Sequence, residues 1–261
     1  MSDAAPGSVD RFDGRAADYA SFRPSYPPGA IDAVLAGLGA PAEIVAIDVG
    51  CGTGISLQLL AERGVRAIGL EPNAGMRAEA TRLGLDVRPG SVLSHDLPRG
   101  EASLVTAFQA FHWFSDDAST AALAALLRPG GRIALVWNLF ERSDPFTDAF
   151  GDLLDRFCDP HAIAGLGIDG AAIGASLDRG GFERRRVEEV PYVQALGDAA
   201  LLGRLRSSSS APTAGPVYDA MAAALHDVTS RRTAATGTRL HPLVHRTHLI
   251  IAELPASPNR G

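Results

Sequence analysis

Up to about residue 137 the apolar positions alternate between two rhythms. Glu43 to Val49 is a short β-branched run, the pattern of a strand buried on both faces of a parallel sheet. Ile55 to Arg63 then spaces its apolar residues as a helix does and is closed by Gly64. The same pair recurs with a strand at Val65 to Leu70 and a helix from Ala74 to Leu83, closed by Gly84. Leu85 to Arg88 and Ser103 to Phe108 predict a third and a fourth strand, and Asp116 to Leu127 a helix. Arg128-Pro129-Gly130-Gly131 is a tight turn into a fifth strand, Arg132 to Trp137. Before all this, a polar Gly/Pro-rich lead runs to about Pro28, followed by helical spacing from Ala30 to Leu38.

Parallel strands need crossover connections, so strands alternating with helices of about ten residues predict an α/β, Rossmann-like, doubly wound sheet. After Asn138 the rhythm changes. Asp144 to Phe157, Asp169 to Arg179, Asp198 to Arg206 and Val217 to Arg231 read as helices, with a serine loop at 207–210. Phe182 to Pro191 alternates like an antiparallel strand, and His245 to Glu253 is the last strand. The expected architecture is a mostly parallel seven-stranded sheet with an antiparallel C-terminal strand and a helical lid. Its core would be 41–140, 180–192 and 243–254, with covering helices in 1–40 and lid insertions at 141–179 and 193–242.

Composition narrows the chemistry. The 261 residues carry 24 cations, all of them arginine, against 30 acids, for a net charge of −6. Without lysine there is no Schiff base and no P-loop lysine. The acidic balance argues against nucleic acid, whose binding rests on cations at phosphate. No apolar run approaches a membrane span, and the start lacks the apolar stretch of a signal peptide. Only Cys51 and Cys158 are present, so neither a disulfide framework nor a zinc site is expected. A reduced, cytoplasmic, metal-free protein follows, and the arginine-only, Ala/Gly-rich usage suggests a bacterial source.

The chemistry concentrates at Asp48-Val49-Gly50-Cys51-Gly52-Thr53-Gly54. Alternating glycines between strand and helix let the backbone pass close beneath a ligand at a helix N-terminus. Glu71, ending the second strand, is placed to accept hydrogen bonds from a ribose diol. A dinucleotide loop would need its third glycine at residue 55, which is isoleucine. Asp48 would repel a pyrophosphate and help to hold a cationic amino group. The pattern favours a zwitterionic ligand carrying a ribose.

These residues resemble a known family. Ile47 to Gly54 is similar to the first motif of class I S-adenosylmethionine-dependent methyltransferases, and Gly69-Leu70-Glu71-Pro72-Asn73 with Met76 to their second. Leu127 to Gly131 resembles their turn before strand five. Phe111-His112-Trp113-Phe114, with Phe12, Tyr19 and Arg23-Pro24-Ser25-Tyr26-Pro27, resembles the small-molecule branch of trans-aconitate-type (type 11) enzymes. Arg206-Ser207-Ser208-Ser209 is similar to a serine-bearing segment of the family's C-terminal part.

The resemblance implies S-adenosylmethionine as cofactor and S-adenosylhomocysteine as product. It implies Gly50, Cys51 and Gly52 under the methionine part, with Asp48 on its amino group and Gly54 completing the loop. Glu71 would grip the ribose, Pro72 and Met76 would flank the adenine, and Ser91 and Val92 would sit at its edge. Many relatives carry an aspartate near the position of Ser91. Gln109 and Ala110 would face the methionine chain and sulfonium, with Tyr19 and Arg23 closing over the carboxylate. The acceptor would be the O, N or C nucleophile of a small molecule, a carboxylate or secondary metabolite among the candidates, bound by a monomer or homodimer.

Methyl transfer mainly needs alignment, so a general base is optional. His112 is the candidate base or orienter, while Phe111, Trp113 and Trp137 are candidates for the substrate pocket. Aromatic residues there fill core as readily as they line a pocket. His241, His245 and His248 lie around Pro242 in an extended segment, where 245 and 248 point to opposite faces, so no metal is expected. The alternatives are a cofactor-binding protein or cyclase using the same pocket, and a nicotinamide oxidoreductase. The last is opposed by Ile55 and by the impossibility of a Tyr-x-x-x-Lys pair.

Overall fold

A computed structural model describes residues 16–158, 169–208 and 210–256, without the side chains of residues 17 and 18. Seven strands form one sheet: β1 (Val45–Val49), β2 (Arg66–Glu71), β3 (Val87–Pro89), β4 (Ala102–Phe108), β5 (Leu127–Phe140), β6 (Glu183–Leu196) and β7 (His241–Glu253). Their order is β3-β2-β1-β4-β5-β7-β6. β1 to β5 pair in parallel, and β7 runs antiparallel between β5 and β6. This is the α/β Rossmann-like sheet that the alternating rhythm predicts.

Helices cover both faces, because every residue of β4 is buried and each face must be sealed. On one face α2 (Pro28–Leu35) and α3 (Ile55–Glu62) bring Ile31, Val34 and Leu60 against Ala46, Leu104 and Val136. On the other, α5 (Asp117–Leu126) and α7 (Gly170–Arg179) pack Leu123, Leu126, Ile173 and Leu177 against Val105, Ile133 and Leu135. α4 (Ala74–Arg82) follows β2, its first turn capped by Asn73, whose side chain accepts from the Met76 N–H at 2.9 Å.

The late helices form a third cluster. α6 (Pro145–Phe157), α8 (Asp198–Arg206) and α9 (Gly215–Thr236) bury Phe150, Leu201, Leu205 and Met221 against Leu243 of β7. The short α1 (Ala16–Phe22) packs on α8, with the Phe22 ring lying against Gly203.

Boundaries shift most after β5. β6 and β7 stay paired as far as Leu196↔His241, so both strands run past the stretches their apolar alternation marks. Pro242 is tolerated there opposite Ala195, and His241 is fully buried, donating from or accepting at Nε2 with Asp198 at 2.8 Å. β3 is only Val87–Pro89, and α9 extends to Gly237, which ends it in the left-handed region. The expected helix 1–40 region is described only from residue 16, so Phe12 lies outside the described residues.

Candidate functional site

The parallel strands end along one edge, and a cavity opens over the C-terminal ends of β1, β2, β4 and β5, where open α/β sheets take ligands. Its floor is the turn after β1. Gly50 and Gly52 have φ of +72° and +57°, conformations that side chains rarely adopt. A Cβ on Gly50 would lie 2.7 Å from the Ala110 Cβ, so glycine lets the turn pass beneath the chain that follows β4. Gly54, at φ +88°, serves packing instead: it does not line the cavity, and a Cβ there would drive into Leu85 and Ala80. Gly54→Ala is expected to cost about 2 kcal/mol through both effects, read as a melting temperature lower by roughly 4–8 °C.

Glu71 is the buried acid of the site, 7% exposed. Its Oε2 accepts from the Gly52 N–H at 2.9 Å and its Oε1 from the Asn73 N–H at 2.8 Å. Burial raises its pKa, while those two N–H donors and Arg77 oppose the rise. The carboxylate therefore ties the glycine turn to the end of β2 and keeps lone pairs toward the cavity it lines.

Asp48 is fully buried beneath the wall and does not line the cavity itself. The Ser56 hydroxyl donates to its Oδ2 and the Thr106 hydroxyl to its Oδ1 at 2.7 Å. Burial lifts its pKa to about 7, against the pull of those two donors and with a further push from Glu71. Ser56, which does line the cavity, is the link between this charge and a ligand.

Pro72, Met76, Ser91 and Val92 form one wall, and Tyr19, Arg23, Gln109, Ala110 and Trp113 another; Cys51 lies in the floor, buried, its thiol pushed up by burial. Gln109 has φ +52°, a strained conformation for a non-glycine residue. It is held by its own N–H on the Val136 carbonyl at 2.8 Å and by its Nε2 on the Asn138 carbonyl at 3.1 Å. The Arg23 guanidinium lies 4.8 Å from the Tyr19 ring centroid and donates to the Ser207 carbonyl at 2.9 Å.

Besides Gly54 and Asp48, three expected site residues lie off the cavity. Phe111 and Trp137 are 0% and 1% exposed and belong to the core. His112 joins them in lining a second cavity against α7, with Ile173 and Ser176, on the far side of the short 3₁₀ turn Phe111–Trp113. The turn faces Ala110 and Trp113 one way and Phe111 and His112 the other. The His112 ring stands 4.8 Å from the Trp113 ring, and neither of its nitrogens has a hydrogen-bond partner among the described residues. Burial, then Arg23, lowers its pKa to about 4.

Sequence reasoning misses Tyr26, Ser56 and Asn138, all of which line the cavity. Asn138 Nδ2 donates to the Ser25 carbonyl at 3.0 Å, and its Oδ1 accepts from Thr247 at 2.6 Å. Its place at the C-terminal end of β5 is the signal that would have found it.

The residues fit a nucleoside bearing an amino acid. A buried carboxylate, a close-approach glycine turn, an apolar slot at Pro72, Met76 and Val92, and a cation at Arg23 line one cavity.

Comparison with known proteins agrees. A family model described as a methyltransferase domain matches residues 47–135. Uncharacterized methyltransferases of Mycobacterium bovis and Mycobacterium tuberculosis are each 34% identical over 148 residues, covering 54% of this chain and 58% of theirs. The chain thus spans little more than half the length of the curated relatives it matches. Among solved structures, an Anaeromyxobacter dehalogenans protein provisionally assigned as a type II methyltransferase is 26% identical, with a TM-score of 0.61, covering 91% of this chain and all of that one. Phosphoethanolamine N-methyltransferase 2 of Haemonchus contortus, solved with phosphomonomethylethanolamine and S-adenosylhomocysteine, shares the fold at 14% identity and a TM-score of 0.57, covering 95% and 60% of the two chains.

Proposed function

We propose that the chain is a class I S-adenosylmethionine-dependent methyltransferase and that it methylates an O, N or C nucleophile of a small molecule. The observation that carries this is Glu71: a buried carboxylate at the end of β2, braced by the Gly52 N–H at the lip of a cavity deep enough for a nucleoside. Bound there, S-adenosylmethionine supplies a methyl group already activated by its sulfonium.

In this reading Glu71 accepts from the ribose hydroxyls, and Pro72 and Met76 hold the adenine, with Ser91 and Val92 at its edge. Gly50, Cys51 and Gly52 carry the methionine part; Asp48 acts on its amino group through Ser56. Tyr19 and Arg23 close over its carboxylate. Gln109 and Ala110 line the path of the reacting methyl, and the strained Gln109 is held in place by its Nε2 on the Asn138 carbonyl. Water exclusion falls to Trp113, Tyr26 and the lid helices. The net charge of −6 supports a small molecule over a nucleic acid as acceptor. Among the described residues no helix is long and apolar enough to cross a membrane; a cytoplasmic monomer or homodimer belongs to this reading, and the mycobacterial relatives accord with a bacterial source.

Calorimetry tests the assignment: S-adenosylhomocysteine is expected to bind in the micromolar range, and NADH not at all. Binding of NADH alone would return the chain to the oxidoreductases. A screen of acceptors with labelled cofactor then identifies the nucleophile.

His112 is a positioning residue in this reading, holding Trp113 through ring contact. His112→Phe keeps a ring and deletes both nitrogens, so kcat is expected to stay within about threefold of wild type. A general base would lose about 10²-fold in the same variant and its pH profile would lose a limb.

A further inference from the structure

Many of the described arginines, and the buried Arg132 above all, answer to a carboxylate or to backbone carbonyls. Arg132 shows the rule: 5% exposed, it pairs with Glu253 at 2.7 Å and donates to the Val34 and Ala36 carbonyls at 2.9 and 2.7 Å. Arg204 on α8 breaks it. It is also 5% exposed, yet it pairs with no carboxylate among the described residues. Its Nη1 makes a long contact of 3.4 Å to the Ser207 hydroxyl, and its Nε has no partner among the described residues.

A buried guanidinium without an anion is costly to hold, since its lost hydration is not replaced. The surroundings add to the cost. Arg23 stands close enough to repel it, and both make contact with Ser207, Arg23 at the carbonyl and Arg204 at the hydroxyl. His245 of β7, 2% exposed, shares the Phe140 ring with it: the guanidinium lies 5.5 Å and the imidazole 4.9 Å from that ring's centroid. His245 Nδ1 donates to the Leu243 carbonyl at 3.0 Å, and its Nε2 has no partner among the described residues. Phe140 lies two residues beyond Asn138 on β5, and Asn138 and Arg23, the neighbour of Arg204 across Ser207, both line the cavity.

We propose that Arg204, with His245 beside it, is the subsite for an acidic group of the methyl acceptor, a carboxylate or a phosphate, distinct from the cofactor's own carboxylate at Arg23. This rests on the methyltransferase reading above. The group is an anchor, not the methylated atom, because an oxygen held by a guanidinium in a dry site is a poor nucleophile. Two anions side by side, one from each ligand, would neutralise two arginines that otherwise repel each other across Ser207.

The test uses the full chain saturated with S-adenosylhomocysteine, with inorganic phosphate, succinate and neutral succinamide as probes. Succinate or phosphate is expected to raise the melting temperature by roughly 3 °C at ten times its dissociation constant, and succinamide to leave it unmoved. Whichever of the two anions binds more tightly names the acidic group. In Arg204→Met both shifts vanish, while S-adenosylhomocysteine affinity stays within about threefold and the anion-free melting temperature holds or rises, since an unpaired buried charge is removed. Arg204→Lys, which keeps a charge, restores part of the shift.

No anion shift in wild type, or an equal shift with succinamide, overturns the proposal. So does a shift that survives in Arg204→Met, or a variant whose anion-free protein melts lower. A loss of S-adenosylhomocysteine affinity in Arg204→Met would place the cofactor's carboxylate there instead. Failure of wild type to bind S-adenosylhomocysteine at all would be the separate failure of the methyltransferase reading.

Discussion

Replacing Glu71 with alanine is expected to weaken S-adenosylhomocysteine binding by about 10³-fold, the largest single loss at this site. Two charge-assisted hydrogen bonds to a ribose diol contribute roughly 1.5–3 kcal/mol each, and the variant loses both. It also frees the Gly52 N–H, which Glu71 holds at 2.9 Å, and the Asn73 N–H at 2.8 Å, so the turn beneath the ligand loses its brace. Glu71→Gln separates the two effects. One amide oxygen remains to accept, but its NH₂ would face a backbone N–H, so a loss of roughly 10²-fold is expected, with a lower melting temperature. Calorimetry on both variants reads the affinities directly. A loss below tenfold in Glu71→Ala would remove the ribose from this acid, and with it the main support for the cofactor's placement.

The parts of this site legible in the sequence are those whose physics is local. The glycine turn announces itself because left-handed backbone and close approach demand glycine at residues 50 and 52, whatever the rest of the chain does. Glu71 is legible because an apolar run buried in a parallel sheet must end at a turn, and an acid at its C-terminal end lies at the ligand edge. The first five strands were legible for the same reason, each a short apolar run bounded by turn residues. Phe111 and Trp137 misled because an aromatic near a strand end reads the same whether it faces cavity or core. Only the direction in which the 111–113 turn is wound decides that, and this depends on α7 packing from 60 residues away.

Arg204 and His245 carried no signal at all. In sequence, Arg204 sits on a helix beside Arg206 and looks like a solvated cation, and His245 looks like one of three histidines spaced for a metal. Their burial comes from α8 lying under α1 and from the long β6–β7 pairing, both tertiary outcomes. The His241, His245 and His248 trio is divided by the strand's alternation: the first two face α6 and α8, bound to Asp198 and to the Leu243 carbonyl, while His248 pairs with Glu189 at 3.2 Å on the other face.

The other large effect belongs to Asp48 and is one of pH. Its carboxyl titrates near 7 because burial disfavours the charge, and Glu71 adds to this, although Ser56 and Thr106 both donate to it. A ligand's cationic amino group favours the ionised form, so S-adenosylhomocysteine affinity is expected to rise with pH up to about 7. Below that it should fall about tenfold per pH unit, since the ligand must first drive off the proton, while the ligand's own α-ammonium group, beside its carboxylate, stays charged throughout this range. The ligand-free protein responds with the opposite sign. A folded-state pKa raised above the unfolded value near 3.8 means that the protonated form contributes stability fully present below about 3.8 and lost as pH rises through about 7. Three pKa units correspond to roughly 4 kcal/mol lost between about pH 4 and 7, so the ligand-free melting temperature should fall across that range and level off above it. Asp48→Asn removes both dependences: it is expected to melt higher than wild type at pH 8 and to bind S-adenosylhomocysteine at least tenfold more weakly there, with a flat pH profile. Parallel pH curves for the two proteins, in binding and in melting, would show that Asp48 carries no charge the ligand feels and would leave it a purely structural partner of Ser56 and Thr106.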